Sequence, residues 1–337
     1  MIRFYHRDEQ IVLDAGKLWR AATSELTYRD TAAESLWSII DKVKAGAPWR
    51  KVVSDRYGSS HPWLDRIVTS PARALFFQQY PPTRGSMVLD IGAGWGQIAL
   101  PLARESSAQV TALEPTPERL AFIQAAARQE KIEDSMHFIQ SDFLEVEFEP
   151  IFDLVCCVGV LEWVPKFRPG DARETQLEFL RRMRSVIKPG GRCCIGIENR
   201  MGLKYLMGAR DDHTGQRNIS VFDAALAASK HRASTGEHLR AFTYSHAEYL
   251  KLFKEAGYVE VNSFAAFPDY KLPELLLTFD DHVRFNQTLL KTTIPPEHDG
   301  VDGHRLPETE LYVSHYRSLA EMGIAHYFCP SFFFSLK

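Results

Sequence analysis

The segment Val88-Leu89-Asp90-Ile91-Gly92-Ala93-Gly94-Trp95-Gly96-Gln97 sets three glycines at alternate positions, the first two residues after an aspartate. Glycines at a strand-to-helix turn let the backbone approach a ligand closely, and the N–H groups opening the next helix receive a negative group. Two more acids follow. Glu114 ends an apolar run eighteen residues past Gly96, where a carboxylate can accept both hydroxyls of a ribose. Asp142, in Ser141-Asp142-Phe143, can accept from an adenine amino group while Phe143 stacks or packs beside it. A dinucleotide fingerprint, G-x-G-x-x-G, would place its third glycine at Gln97, so that pattern is not met. The plain alternative is a tight turn with solvated strand-end acids.

Strands and helices must alternate to position these residues. Met87 to Ile91, Val110 to Leu113, Met136 to Gln140, Phe152 to Val158 and Arg192 to Ile197 read as short apolar strands. Between them Gln97 to Arg104, Pro117 to Gln129 and Thr175 to Ile187 read as helices, the second opened by a proline in its first turn. This alternation implies βαβ units and a mainly parallel sheet with helices on both faces. A capping box, Ser245-x-x-Glu248, opens a further helix, followed by a strand from Tyr258 to Phe264, and His326 to Leu336 supplies the last strand. Residues 1–82 carry helical patterns such as Ala33 to Val43 and end at Tyr80-Pro81-Pro82; they read as a helical N-terminal cap. Irregular insertions over about 199–244 and 268–322 interrupt the remainder, 83–337.

Composition narrows the function classes. The 337 residues, 45% hydrophobic and 25% charged, suit a globular chain rather than a disordered or fibrous one. Forty basic against forty-three acidic residues leave a net charge of −3, which gives no global field for nucleic acid. No apolar run reaches the roughly 20 residues that cross a bilayer, and Met1 to Gln10 lacks the layout of a secretion signal, so a cytoplasmic location is expected. Cys156-Cys157 and Cys193-Cys194 fall inside apolar strands, where neighbours face opposite ways, and are expected to pack in the core.

The ordered set Asp90-x-Gly92-x-Gly94-x-Gly96, Glu114 and Asp142 resembles the class I S-adenosylmethionine-dependent methyltransferases over roughly residues 86–264. Phe152 to Val164, through Val158 and Leu161-Glu162-Trp163, is similar to that family's fourth strand and the loop touching the methionine part. Lys188-Pro189-Gly190-Gly191-Arg192 is similar to the turn before its fifth strand. The resemblance implies an α/β, Rossmann-like sheet of seven mainly parallel strands with an antiparallel last strand. It also implies S-adenosylmethionine as cofactor, held by Asp90, Gly92, Gly94, Gly96, Glu114, Asp142, Phe143 and Val158. Trp163 stands where many relatives have histidine, so no base carries over there. The segments from Ile197 to Tyr205, Asp211 to Gly215 and Phe267 to Lys271 look like a bacterial subgroup associated with glycan and secondary-metabolite pathways.

Acceptors in such sheets bind beyond the carboxyl ends of the strands. That rule selects Glu198, Asn199, His238 and Arg240 as substrate-binding candidates, and His213, Asp212, Asp269 and Tyr270 as catalytic ones. His213 is the first choice for a base because histidine titrates near neutrality and Asp211 or Asp212 is close enough to orient it; Asp-Asp-His-Thr-Gly reads equally as a self-bonded turn. Without a zinc-helix spacing or a cysteine partner, no metal is expected. The expected reaction is methyl transfer to an oxygen of a small molecule, sugar or peptide end. N-methylation, a nicotinamide-dependent oxidoreductase and an inactive cofactor-binding partner protein are the alternatives. The N-terminal helices with Trp19, Trp37, Trp49 and Trp63 are expected to cover the site, form a homodimer surface, or serve plain packing.

Overall fold

A computed structural model describes residues 1–21, 31–295 and 309–337. The chain divides into two units, one of residues 1–157 with 182–193, the other of 158–181 with 194–337.

The first unit opens with β1 (Ile2–His6) and β2 (Glu9–Leu13), an antiparallel hairpin whose turn residues Arg7 and Asp8 take φ of 50° and 65°. Two left-handed residues make the turn type whose twist matches its strands. β3 (Leu18–Arg20) follows and runs parallel to a later strand. The expectation of a wholly helical N-terminus is thus corrected at residues 2–20: Ile2, Phe4 and His6 are buried at period two, a strand pattern too short to stand out in the sequence. Helices come next, α1 (Ala33–Lys44), α2 (Trp49–Tyr57) and α3 (Pro62–Thr69); α1 buries Leu36, Ile39, Ile40 and Val43 along one stripe.

The nucleotide-fold elements then alternate: β4 (Met87–Ile91), α4 (Ala99–Ser106), β5 (Gln109–Leu113), α5 (Pro117–Gln129), β6 (Met136–Gln140), the short β7 (Val146–Glu147), β8 (Phe152–Val158), α6 (Ala172–Ser185) and β9 (Ile187–Glu198). β4 pairs in parallel with β5 and β8, β5 with β6, and β6 with β3. All five β6 residues are buried, as expected of a strand covered on both faces. Trp49 packs edge-on against Phe122 of α5, and its indole N–H donates to Glu130 at 2.8 Å. Residues 1–21 and 31–82 therefore pack within this unit; residues 22–30 of the expected cap lie outside the described residues.

In the second unit β9 continues from Cys194, followed by α7 (Leu203–Leu206), α8 (Ala224–Thr235), α9 (His246–Glu255), β10 (Val261–Phe267), β11 (Leu275–Thr278), α10 (His282–Lys291), α11 (Thr309–Glu321) and β12 (Ser331–Leu336). β10 lies between β11 and β12, antiparallel to both. The expected seven strands are β4, β5, β6, β8, β9, β10 and β12, with the last antiparallel to β10; β3 and β11 are additions. The box Ser245/Glu248 forms as expected at the start of α9. Both insertions contain helices, although residues 296–308 of the second lie outside the described residues. All five cysteines are buried thiols, in line with core packing.

Candidate active site

β4 delivers the chain into a turn where Gly92, Gly94 and Gly96 all adopt positive φ, 65°, 56° and 81°. A Cβ on Gly96 would sit 3.0 Å from Leu100 and 3.3 Å from Ile123, so glycine answers both the backbone and the space there. Gln97 folds its side chain back, its Oε1 accepting the Trp95 N–H at 3.1 Å. Asp90 is buried and its Oδ2 has no hydrogen-bond partner. Burial raises its carboxyl to about 7, an effect opposed by the Ala99 N–H and Arg73 and reinforced by Glu114.

Glu114 follows β5, and each of its oxygens accepts one backbone amide: Oε2 from Gly94 at 2.8 Å, Oε1 from Thr116 at 3.0 Å. A carboxylate has about four lone-pair sites, so capacity for two further donors remains. Asp142 follows β6, half-buried, and caps a short turn through Leu144 N–H at 2.8 Å; Phe143 beside it is buried. Three acids thus stand at or just past the carboxyl ends of three adjacent parallel strands. Val158, the last residue of β8, is buried in the other unit.

The second unit concentrates charge. Glu162 lies in the loop after β8, Glu198 ends β9, and Asp211, Asp212 and His213 come from the first insertion. The Nε2 atom of His213 is 3.7 Å from Glu198 and 3.9 Å from Glu162, while its Nδ1 is 3.8 Å from Asp211. Trp163 packs edge-on over the imidazole with centroids 4.9 Å apart. Lys271 joins Glu198 at 2.6 Å to Asp212 at 3.0 Å, and Lys204 binds Asp212 at 2.9 Å. Burial alone would raise Asp212, but Lys204 and Lys271 hold it well below the usual carboxylate range. Burial would likewise lower His213, yet Glu198, Asp211 and Glu162 together raise it well above the ordinary histidine value. Glu162 is pushed up by burial, which His213 only partly offsets.

Asp-Asp-His-Thr-Gly forms the self-bonded turn. Asp211 Oδ1 accepts the N–H groups of His213 and Thr214 at 3.0 and 2.7 Å, making the self-bonded turn, and that turn directs the imidazole into the cluster. Asp211 rather than Asp212 faces the His213 ring.

Most of the other candidates make contacts within the fold. Asn199 spends its amide on the Tyr327 and Cys329 carbonyls at 2.9 and 2.8 Å and accepts from Met201 N–H at 3.0 Å. Arg240 binds the Pro165 carbonyl at 2.7 Å, that of Gly170 at 2.8 Å, and that of Arg168, which pins the loop after Glu162. His238 is exposed. Asp269 accepts the Lys271 and Leu272 N–H groups at 2.6 and 3.1 Å, a turn of its own. Tyr270 is buried, its hydroxyl against Gly159. Sequence reading missed Lys204, Lys271 and the part played by Glu162. All three sit in segments singled out for resemblance, but nothing local marks a lysine as the counter-ion of an acid dozens of residues away.

Elements of this order, with a glycine turn and strand-end acids, make a Rossmann-like α/β fold. Residues 89–195 match the family described as a methyltransferase domain. A ubiquinone biosynthesis O-methyltransferase of Rickettsia canadensis is 30% identical over 121 residues, 36% of this chain and 46% of that protein. The protein of the same name from Xylella fastidiosa is 27% identical over 168 residues, 47% of this chain and 64% of that one. The matched region therefore spans only about half to two-thirds of these relatives. A SAM-dependent methyltransferase from Geobacter sulfurreducens, solved with S-adenosylhomocysteine, is 17% identical with a TM-score of 0.43, covering 80% of this chain and 92% of that one, a score too low to carry weight. The family match falls on β4 to β9, the elements that carry the glycine turn and the strand-end acids, and supports a class I S-adenosylmethionine-dependent methyltransferase domain there. Among the described residues no helix is long and apolar enough to cross a membrane.

Proposed function

We propose that the protein transfers a methyl group from S-adenosylmethionine to an oxygen of a small-molecule, sugar or peptide-end acceptor. The observation that carries this reading is the Glu114 carboxylate, held by the Gly94 and Thr116 amides with acceptor capacity to spare, in a region that matches a methyltransferase domain. The O-methyltransferase names of the relatives support oxygen as the acceptor atom.

The residues fit the cofactor. Asp90 presents a buried, unpartnered carboxylate oxygen suited to a cationic or N–H donor, Glu114 suits ribose hydroxyls, and Asp142 suits an adenine amino group. When bound, the cofactor supplies a methyl on a positively charged sulfur; an acceptor oxygen takes it in one displacement, the C–S bond breaking as the C–O bond forms and the sulfur keeping the electron pair. The chain's task is then to hold the acceptor in line, which can lower the barrier by about 7–11 kcal/mol. His213, Asp212, Asp269 and Tyr270 are proposed to serve the acceptor side by positioning the acceptor, with a carboxylate neighbour of the protonated His213 ring receiving the hydroxyl proton. Glu198 is the proposed substrate contact that lies in the charged cluster.

The test is incubation with deuteromethyl cofactor and an acceptor panel, read by mass spectrometry. A labelled methyl on an oxygen, absent with Glu114→Ala, is expected. Tight cofactor binding with no product across the panel would favour the inactive-partner reading.

A further inference from the structure

One cluster of the second unit gathers buried charge. Four carboxylates, Glu162, Glu198, Asp211 and Asp212, meet two ammonium groups, Lys204 and Lys271, and one imidazole. Glu162 is 0% and Glu198 2% exposed, and the His213 side chain 4%. Buried charge without a partner is costly, and folded proteins pair it or place a metal on it.

Within this group three side chains stand apart. Both carboxylate oxygens of Glu162, and the Glu198 Oε2 that Lys271 does not take, have no hydrogen-bond partner. They face His213 Nε2 across 3.9 and 3.7 Å, beyond hydrogen-bond length. One donor atom from each of Glu162, Glu198 and His213 can be chosen so that all three lie within 4.8 Å of one another. A divalent ion binds nitrogen and carboxylate oxygen at about 2.0–2.2 Å, so one ion can bridge gaps of this size. A simple salt bridge would have closed them.

We propose that Glu162, Glu198 and His213 form a binding site for one divalent cation. Two carboxylates and an imidazole make a hard to borderline donor set, suited to Mn²⁺, Mg²⁺ or Zn²⁺ and, with no sulfur present, poorly suited to Cu⁺. The neighbouring groups support each ligand: Lys271 fixes the second oxygen of Glu198, and Asp211 faces the other nitrogen of His213. No local spacing marks these ligands in the sequence, since they come from the loop after β8, the end of β9 and an insertion. The site shares Glu198 and His213 with the proposed acceptor side, but it concerns what the cluster binds and not which acceptor is methylated.

The experiment takes the full chain, stripped with EDTA, and titrates Mn²⁺, Mg²⁺ and Zn²⁺ separately while following heat of binding and melting temperature, with cofactor affinity measured in parallel. About one ion per chain is expected to bind at least one of the three metals and raise the melting temperature. Glu162→Gln keeps the shape but loses the carboxylate, so this variant should bind the ion at least tenfold more weakly. His213→Asn should also bind it at least tenfold more weakly. No binding by the parent at millimolar concentrations of any of the three would overturn the site, as would equal binding by parent and both variants. Cofactor affinity unchanged by the ion keeps a failure here separate from a failure of the methyltransferase reading.

Discussion

The Oε2 atom of Glu114 accepts the amide hydrogen of Gly94 at 2.8 Å, tying the end of β5 to the glycine turn after β4. One carboxylate thereby shapes the turn and remains available to a ligand. Glu114→Gln keeps an acceptor oxygen but loses the charge and one amide contact. A hydrogen bond to a charged group contributes about 1.5–3 kcal/mol, so cofactor affinity by calorimetry should fall roughly tenfold to a hundredfold. An unchanged dissociation constant would remove Glu114 from the binding site.

Asp90 sets a pH dependence of stability. Its carboxyl is raised from 3.8 to about 7, so between those values the folded state holds a proton that the unfolded state has released. Stability must fall as pH rises through this window, and the ionised form is penalised above it by a few kcal/mol. Asp90→Asn should therefore be more stable than the parent at pH 8 and nearly equal at pH 4 in urea unfolding, while binding cofactor less tightly. A parallel shift at both pH values would contradict the burial account.

Gly159 takes φ of 72°, and a Cβ there would stand 2.8 Å from the Tyr270 hydroxyl. Gly159→Ala should lower stability by about 1–3 kcal/mol. Adding Tyr270→Phe removes the nearest atom but leaves the backbone strain and a ring carbon at 3.2 Å, so the double variant should recover only part of the loss. Additive losses in thermal melts would show that the two sites do not couple.

Lys271 neutralises two acids at once, Glu198 and Asp212. Lys271→Met strands part of that charge in a buried place, where loss of one partner costs about 3–5 kcal/mol. The urea midpoint should drop accordingly. A change under 1 kcal/mol would mean that water already screens the pair.

Local patterns carried much of this protein. Pro117–Gln129, Met136–Gln140 and Phe152–Val158 form the elements that hydrophobic periodicity, a leading proline and turn residues imply, because these signals act over a few residues. The glycine turn and the acids of strands β4 to β6 were equally legible, since each sits at a strand end whose position the pattern sets. The N-terminal hairpin was not: β1 and β2 have five residues each, and their alternation earns its meaning only from the core they cover.

The charged cluster belongs wholly to tertiary structure. In the sequence Glu162, Glu198, His213 and Lys271 lie far apart, with Asp211 or Asp212 equally placed to orient neighbouring His213. Folding instead gives Asp212 to two lysines and turns Asp211 toward the ring, because a turn sends adjacent side chains in different directions. Asn199 and Arg240, polar and plausible as ligands for a substrate, are consumed by carbonyls that only the folded chain brings within reach. Chain-local periodicity and turn chemistry determine which elements form; which charges become partners depends on Coulomb and hydrogen-bond contacts between segments that meet only after folding.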